Sequence, residues 1–184
     1  MKKSFKAMSG IFPMPVLIIG TYNEDGSTDV MNAAWGMAIS MKEIKLCLSE
    51  SHKTFKNLKR TGACTVSLGT KELMIESDYF GIVSANSDKD KFENSHLHST
   101  KSIHINAPIV DEYPLTMECK LASIDEDGVV LDIINTLVDE KYLLEDGSID
   151  LEKMGVLSYD PYGRSYYVVD KKVGSAFQCG KVLK

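Results

Sequence analysis

The chain has 184 residues, 43% of them hydrophobic, with 21 basic against 26 acidic residues and a formal charge of -5. That length is most simply one domain spanning residues 1–184, whose folding would bury roughly two thirds of the surface exposed by the unfolded chain. The two signs of charge are interspersed, so the basic footprint of a phosphate-backbone binder is missing and nucleic acid is not an expected partner. Pro13 and Pro15 interrupt the apolar residues after the basic start, and no stretch reaches the ~20 apolar residues of a membrane helix. A cytoplasmic protein without a membrane partner is expected.

In chain order, "PVLIIGTY" reads as a buried strand, "NEDG" supplies Asp-Gly turn chemistry, and "TDVMNAAWGMAIS" returns as a second strand. A third strand is "IKLCLS". The segment "TFKNLKRTG" has apolar residues at helical spacing and ends in Gly62, a residue suited to a left-handed cap, before "ACTVSLG" resumes strand character. Next, "KELMIESDYFGIVSA" and "DKDKFENS" read as helical but broken at Gly81. The second half offers "LTMECKLASI", an Asp-Gly turn in "DEDG", and "VVLDIINTLVDE", together a long antiparallel hairpin. Short aromatic strands, "VLSYD" and "SYYVVD", follow.

Six or more strands joined by hairpins, with a few short inserted helices, predict a mainly β protein built as a small antiparallel barrel. Neither G-x-G-x-x-G nor a Walker loop occurs, so a Rossmann or P-loop nucleotide site is unsupported. Cysteines 47, 64, 119 and 179 form no C-x-x-C pair, and three lie in apolar strand-like runs, where a reduced thiol acts as a small hydrophobe. Among histidines 52, 96, 98 and 104, the "HLH" pair invites a metal reading. Without a Cys or carboxylate at ligand spacing in that segment, a polar surface loop and no metal site are expected.

Two places carry chemistry. Around the single tryptophan, Asn32, Ala33, Ala34 and Gly36 leave little side chain, which suits either a flat aromatic ligand on the strand or a neighbouring helix packed close. In "SESHKTF", Ser49, Ser51 and Thr54 offer hydroxyls and Lys53 a charge, while a helix starting near Thr54 would add unpaired N–H groups. This is an anion site sized for one phosphate, or else ordinary N-capping by Ser51 or Thr54.

Together these segments resemble the flavin reductase-like, FMN-binding split-barrel proteins that include the flavoredoxins. The likeness runs through "PVLIIGTYNEDGSTDVMNAAW", "ISMKEIKLCLSESHKTFKNLKRTGACTVSL", "ESDYFGIVSANSDKDKF" and "PLTMECKL". The terminal D-K-F and the E-C-K strand are similar to the flavoredoxin branch. The resemblance implies a split β-barrel binding FMN noncovalently, with its phosphate at Ser49, Ser51, His52, Lys53 and Thr54. The flavin ring would lie against Asn32, Ala33, Ala34 and Trp35, with Lys91 near the cofactor and Ser84 lining the same side. It also implies a homodimer with the flavin near the interface, and electrons from NAD(P)H or a protein donor; the aromatic run with Tyr166 and Tyr167 either covers the flavin, from the same or the partner chain, or forms an ordinary exposed hairpin. No catalytic acid or base is named, because flavin carries the redox chemistry itself. Two departures stand out. The late hairpin lacks the His that many relatives place near the flavin, and Cys64 and Ser67 replace a usual Phe and Asn. Three functions remain in play: an FMN-dependent oxidoreductase, a flavin electron carrier, and a non-redox binding barrel.

Overall fold

The computed structural model describes residues 1–4, 7 and 11–183. Its strands are β1 (Met14–Pro15), β2 (Leu17–Tyr22), β3 (Thr28–Ala33), β4 (Gly36–Ala38), β5 (Glu43–Leu46), β6 (Ala63–Leu68), β7 (Ser99–Lys101), β8 (Pro108–Val110), β9 (Leu115–Asp125), β10 (Gly128–Val138), β11 (Leu157–Asp160) and β12 (Ser165–Val168). Helices α1 (Lys53–Thr61), α2 (Met74–Ile82) and the one-turn α3 (Leu151–Met154) interrupt them. Seven strands form one antiparallel sheet in the order β3-β2-β6-β9-β10-β5-β4. Strands β3 and β4 lie at opposite edges of that sheet, yet only Ala34 and Trp35 separate them in the chain. The sheet must therefore curl until its edges nearly meet, which produces the half-barrel of the split-barrel fold.

The apolar run at residues 16–19 is continuous because both faces of β2 are covered. Leu17 and Ile19 point into the barrel with Leu46, Val66, Val129 and Leu131, while Val16 and Ile18 pack outside with Val30, Phe80 and Phe92. Helix α1 inserts Phe55 and Leu58 into the barrel core and ends at Gly62, whose φ of 69° and N–H bond to the Leu58 carbonyl make a left-handed cap. Helix α2 covers the outer cluster with Phe80.

Three expectations are corrected. The strand expected over 28–40 is two strands, because Ala34 and Trp35 turn the chain across the barrel seam. Helix α2 continues through Gly81 to Ile82, since a glycine in the last turn costs only about 1 kcal/mol of helix propensity. In "DKDKFENS" only the single 3-10 turn Glu93–Ser95 forms. Cys64 and Cys119 are buried opposite one another on β6 and β9, whereas Cys47 follows β5 and is exposed.

The outer face of β9 carries a fully buried carboxylate. Glu118 accepts hydrogen bonds from the Ser102 hydroxyl, from Asn135 Nδ2 at 2.6 Å and, in one tautomer, from His104 Nδ1 at 2.8 Å. The Ser102 oxygen in turn accepts the backbone N–H groups of His104 and Ile105, so the segment between β7 and β8 is pinned to the barrel. Burial alone would raise the Glu118 pKa, but these hydrogen bonds outweigh it and hold the acid below the ordinary glutamate range. Its stabilisation is complete above the unfolded value of about 4.3 and is lost as pH falls through the lower native value. Glu118→Gln should therefore be less stable than wild type near neutrality, with the gap narrowing on acidification below about pH 4. Denaturant midpoints of both proteins across pH would check this, and a gap independent of pH would refute it.

Candidate functional site

The seam between β3 and β4 builds one wall of a cleft. Gly36 is small for the barrel's sake, since a Cβ there would stand 2.6 Å from Leu46 Cδ2 and 2.7 Å from Leu17 Cδ1. Ala33 likewise packs on the barrel core. Asn32, Ala34 and Trp35 instead face a hollow of about 310 Å³ on the other side, walled by α2 and by β11–β12. Trp35 remains 51% exposed. Its ring centroid lies 6.3 Å from that of Tyr159, which is 6.0 Å from Tyr166, so three aromatic side chains border the hollow in series. The small-residue segment thus divides between the two uses open from sequence. Gly36 and Ala33 serve close packing, though of the barrel on itself rather than of a helix, and Asn32 with Ala34 leaves the cleft open.

A second hollow, about 180 Å³, shares Asn32, Gly81 and Ile82 with the first and runs to the start of α1. His52, Lys53 and Thr54 line it together with Asp29, Ser84 and Lys91. No side chain caps the first turn of α1, and His52 occupies the N-cap position. Capping by Ser51 or Thr54 is therefore not what these residues do. Ser49 and Ser51 are exposed and bond each other at 2.8 Å, outside the lining of the hollow. Thr54 is buried, and its hydroxyl donates to Asp29 Oδ2 at 2.6 Å. That hydroxyl hydrogen is not free for an anion, although the open backbone N–H groups of the first turn and the Lys53 ammonium are.

Asn86 lies in the loop after α2, beside Ser84 of the second hollow. Its Nδ2 donates to the Ser51 carbonyl at 3.0 Å and to Ser84 Oγ at 3.3 Å, tying the loop after α2 to the approach to α1. Lys91 is nearly buried and donates to the Phe80 carbonyl at 3.1 Å. Burial lowers its pKa, while the charges of Asp29 and Asp88 oppose that shift.

In the first hollow, Tyr166 donates to Asp78 Oδ1 at 2.8 Å. Burial, and then this hydrogen bond and the charge of Asp78, push the phenol up to about 12. Asn32 anchors α2 by donating from Nδ2 to the Ser77 carbonyl at 2.9 Å. Arg164, with φ of 53°, lines the same hollow with no ion pair among the described residues. Tyr167 lies outside this lining and packs edge-on against Phe12 at 5.7 Å.

Of the eleven residues singled out from sequence, the structure gathers Asn32, Ala34, Trp35, His52, Lys53, Thr54, Ser84 and Lys91 along the joined cleft. It leaves Ala33, Ser49 and Ser51 off its lining. Asp29, Asp78, Gly81 and Arg164 were missed. Asp29 gave no signal because an aspartate just after a turn reads as turn chemistry. Asp78 and Arg164 are separated by 86 positions and meet at one hollow only through the fold. His98 Nδ1 lies 2.7 Å from Glu112 on the surface, and no group of three or more His, Cys, Asp or Glu residues suited to a metal occurs among the described residues.

Residues 8–148 match the model of the flavin reductase like domain family. The chain is similar to the flavoredoxin of Desulfovibrio vulgaris (Miyazaki F), with a TM-score of 0.94 and 32% identity over 98% of this chain and 100% of that one. It is also similar to a flavoredoxin from Methanosarcina acetivorans, with a TM-score of 0.88 and 24% identity, each chain covered in full at 100%. An uncharacterised protein of Methanothermobacter thermautotrophicus is 28% identical over 166 residues, 84% of this chain and 77% of that one.

The aromatic wall has a titration signature. The phenol raised by burial and Asp78 should stay protonated at about pH 11, where ordinary tyrosines are largely ionised. The difference in alkaline ultraviolet titration between wild type and Tyr166→Phe isolates it. Asp78→Asn should move this component toward lower pH, and an unchanged component would refute the coupling.

Proposed function

Because the chain belongs to the flavin reductase-like domain family, in its flavoredoxin branch, we propose that it is an oxidoreductase working through noncovalently held FMN. The observation that carries this reading is the single cleft joining an aromatic slot to an uncapped helix start. The cofactor's phosphate suits the first turn of α1 and Lys53, where charge-assisted hydrogen bonds contribute about 1.5–3 kcal/mol each before desolvation. Its planar ring suits the slot between α2 and the Trp35, Tyr159 and Tyr166 side chains. Gly81, without a side chain where the hollows join, keeps the passage open.

Bound FMN would supply the electron or hydride transfer itself. The chain's residues would bind and orient it, exclude water along the Val16 and Ile82 wall, and set the local charge through Arg164 and Lys91. A homodimer belongs to the same reading. Trp35, Met37, Ile39 and Met41 are exposed along the barrel seam and its free β4 edge, an apolar face suited to a second copy that would cover the ring. Association in the cytoplasm, with NAD(P)H or a protein as donor, completes the proposal.

One feature favours an electron carrier as the second reading. The β9–β10 hairpin has no His to position a nicotinamide, and its tip is occupied by acidic side chains, with Lys45 2.9 Å from Asp125 and 3.6 Å from Asp127. Hydride transfer needs contact at roughly 3–3.5 Å, so a missing positioning group slows the reaction more than it weakens binding. Stopped-flow bleaching of bound flavin by NADH or NADPH should be slow compared with the rate given by a strong chemical reductant. Rates of about 10 s⁻¹ or more would establish a reductase instead.

FMN should bind more tightly than riboflavin, and Lys53→Ala should weaken FMN about tenfold or more while leaving riboflavin nearly unchanged. Titration of Trp35 fluorescence reads both ligands, because the chain has one tryptophan and it borders the slot. Equal affinities, or no quenching at saturation, would sink the assignment.

A further inference from the structure

The second hollow contains a buried carboxylate oxygen without a partner. Asp29 is 2% exposed, and its Oδ2 accepts from Thr54 Oγ1 at 2.6 Å, Thr21 Oγ1 at 3.3 Å and Asn57 Nδ2 at 3.5 Å. Its Oδ1 is buried with no hydrogen-bond partner. A buried acceptor without a partner is unfavourable, so a donor from outside the chain would be favoured there. Lys91 lines the same hollow but donates to the Phe80 carbonyl and makes no ion pair with Asp29 among the described residues.

The position of Asp29 selects the donor. The carboxylate lines the hollow between the α1 start, at Lys53 and Thr54, and the junction at Asn32 and Gly81. A phosphate would be repelled by the carboxylate, and a planar ring edge is accommodated in the other hollow. A neutral O–H donor is the chemistry that fits, and a polyol chain linking phosphate to ring carries several.

We propose that Asp29 Oδ1 accepts a hydrogen bond from a hydroxyl of the flavin's ribityl chain, making Asp29 the residue by which the cleft selects flavins bearing a polyol. This rests on the flavin reading above. It also gives the oxygen that does not brace the start of α1 a use beside an anion site. Three donors hold Oδ2 in place, which fixes the orientation of Oδ1 as an acceptor.

The test compares riboflavin with lumiflavin, which has the same ring without the polyol, on wild type and Asp29→Asn. In the variant, Asn57 Nδ2 can only donate and the Thr54 hydroxyl donates to Oδ2, which favours the amide oxygen at the Oδ2 position and puts the amide nitrogen in place of the free acceptor. Riboflavin should weaken about tenfold while lumiflavin changes less than about twofold. Asn57→Ala removes a donor to Oδ2 and leaves Oδ1 alone, so it should weaken both flavins alike or neither. Asp29→Asn acting equally on both flavins or on neither, or Asn57→Ala reproducing the riboflavin-selective loss, would overturn the assignment and leave the flavin reading standing. Wild type that binds neither flavin would overturn both.

Discussion

The structure depends on the two-residue step from β3 to β4. The strands at the two ends of the sheet order are joined by Ala34 and Trp35 alone, so the seven-stranded sheet has to close on itself or break that link. Closure requires the β4 backbone to come close to Leu17 and Leu46, which only a glycine at position 36 permits. Trp35 is turned outward, and the largest side chain of the segment becomes the wall of a cleft. The barrel's closure and the site's aromatic slot are thus consequences of one short connection.

Two buried carboxylates show how this small barrel handles charge. Glu118, outside the barrel, is held by three donors from two segments, the β7–β8 connection and β10, and serves to pin the β7–β8 region. Asp29, at the mouth, is satisfied on one oxygen only. A charged group in a poorly solvated setting is tolerated when its hydrogen bonds are complete, and an incomplete set marks either a strain reservoir or a place for a ligand. The same Asp29 joins α1 to the first hairpin through Thr54, Thr21 and Asn57, so the helix start that suits an anion is positioned by a carboxylate. Lys53 and Lys91 offset the electrostatic conflict this creates. Burial lowers the Lys91 pKa, and the charges of Asp29 and Asp88 oppose that shift.

Family membership and this geometry bear on different questions. Membership of the flavin reductase-like family accounts for a barrel with flavin-related chemistry. What an individual member exchanges electrons with is decided at the open side of the cleft, where side chains rather than fold set recognition. Here that side carries Arg164 without an ion pair among the described residues and Asp78 engaged by Tyr166.

Much of this was legible in the chain itself. The alternating and doubly buried strands, the Asp-Gly turns, the α1 helix with its Gly62 cap and the long β9–β10 hairpin follow from local periodicity and turn chemistry, which act over a few residues. The cluster from His52 to Thr54 at a helix start was legible for the same reason. Local signals could not show that residues 28–40 split at a barrel seam, because that break is imposed by closure of a sheet whose strands pair over long separations, as Glu43 of β5 does with Asp132 of β10. Nor could they show that Thr54 gives its hydroxyl to Asp29, that Ser49 and Ser51 lie off the cleft's lining, or that Arg164 and Asp78 line one hollow. The sequence alone determined which residues have the chemistry to hold a phosphate and a flat ring. Tertiary structure decided which of them point the same way, because a side chain's hydrogen bonds and direction are set by whichever distant segment it packs against.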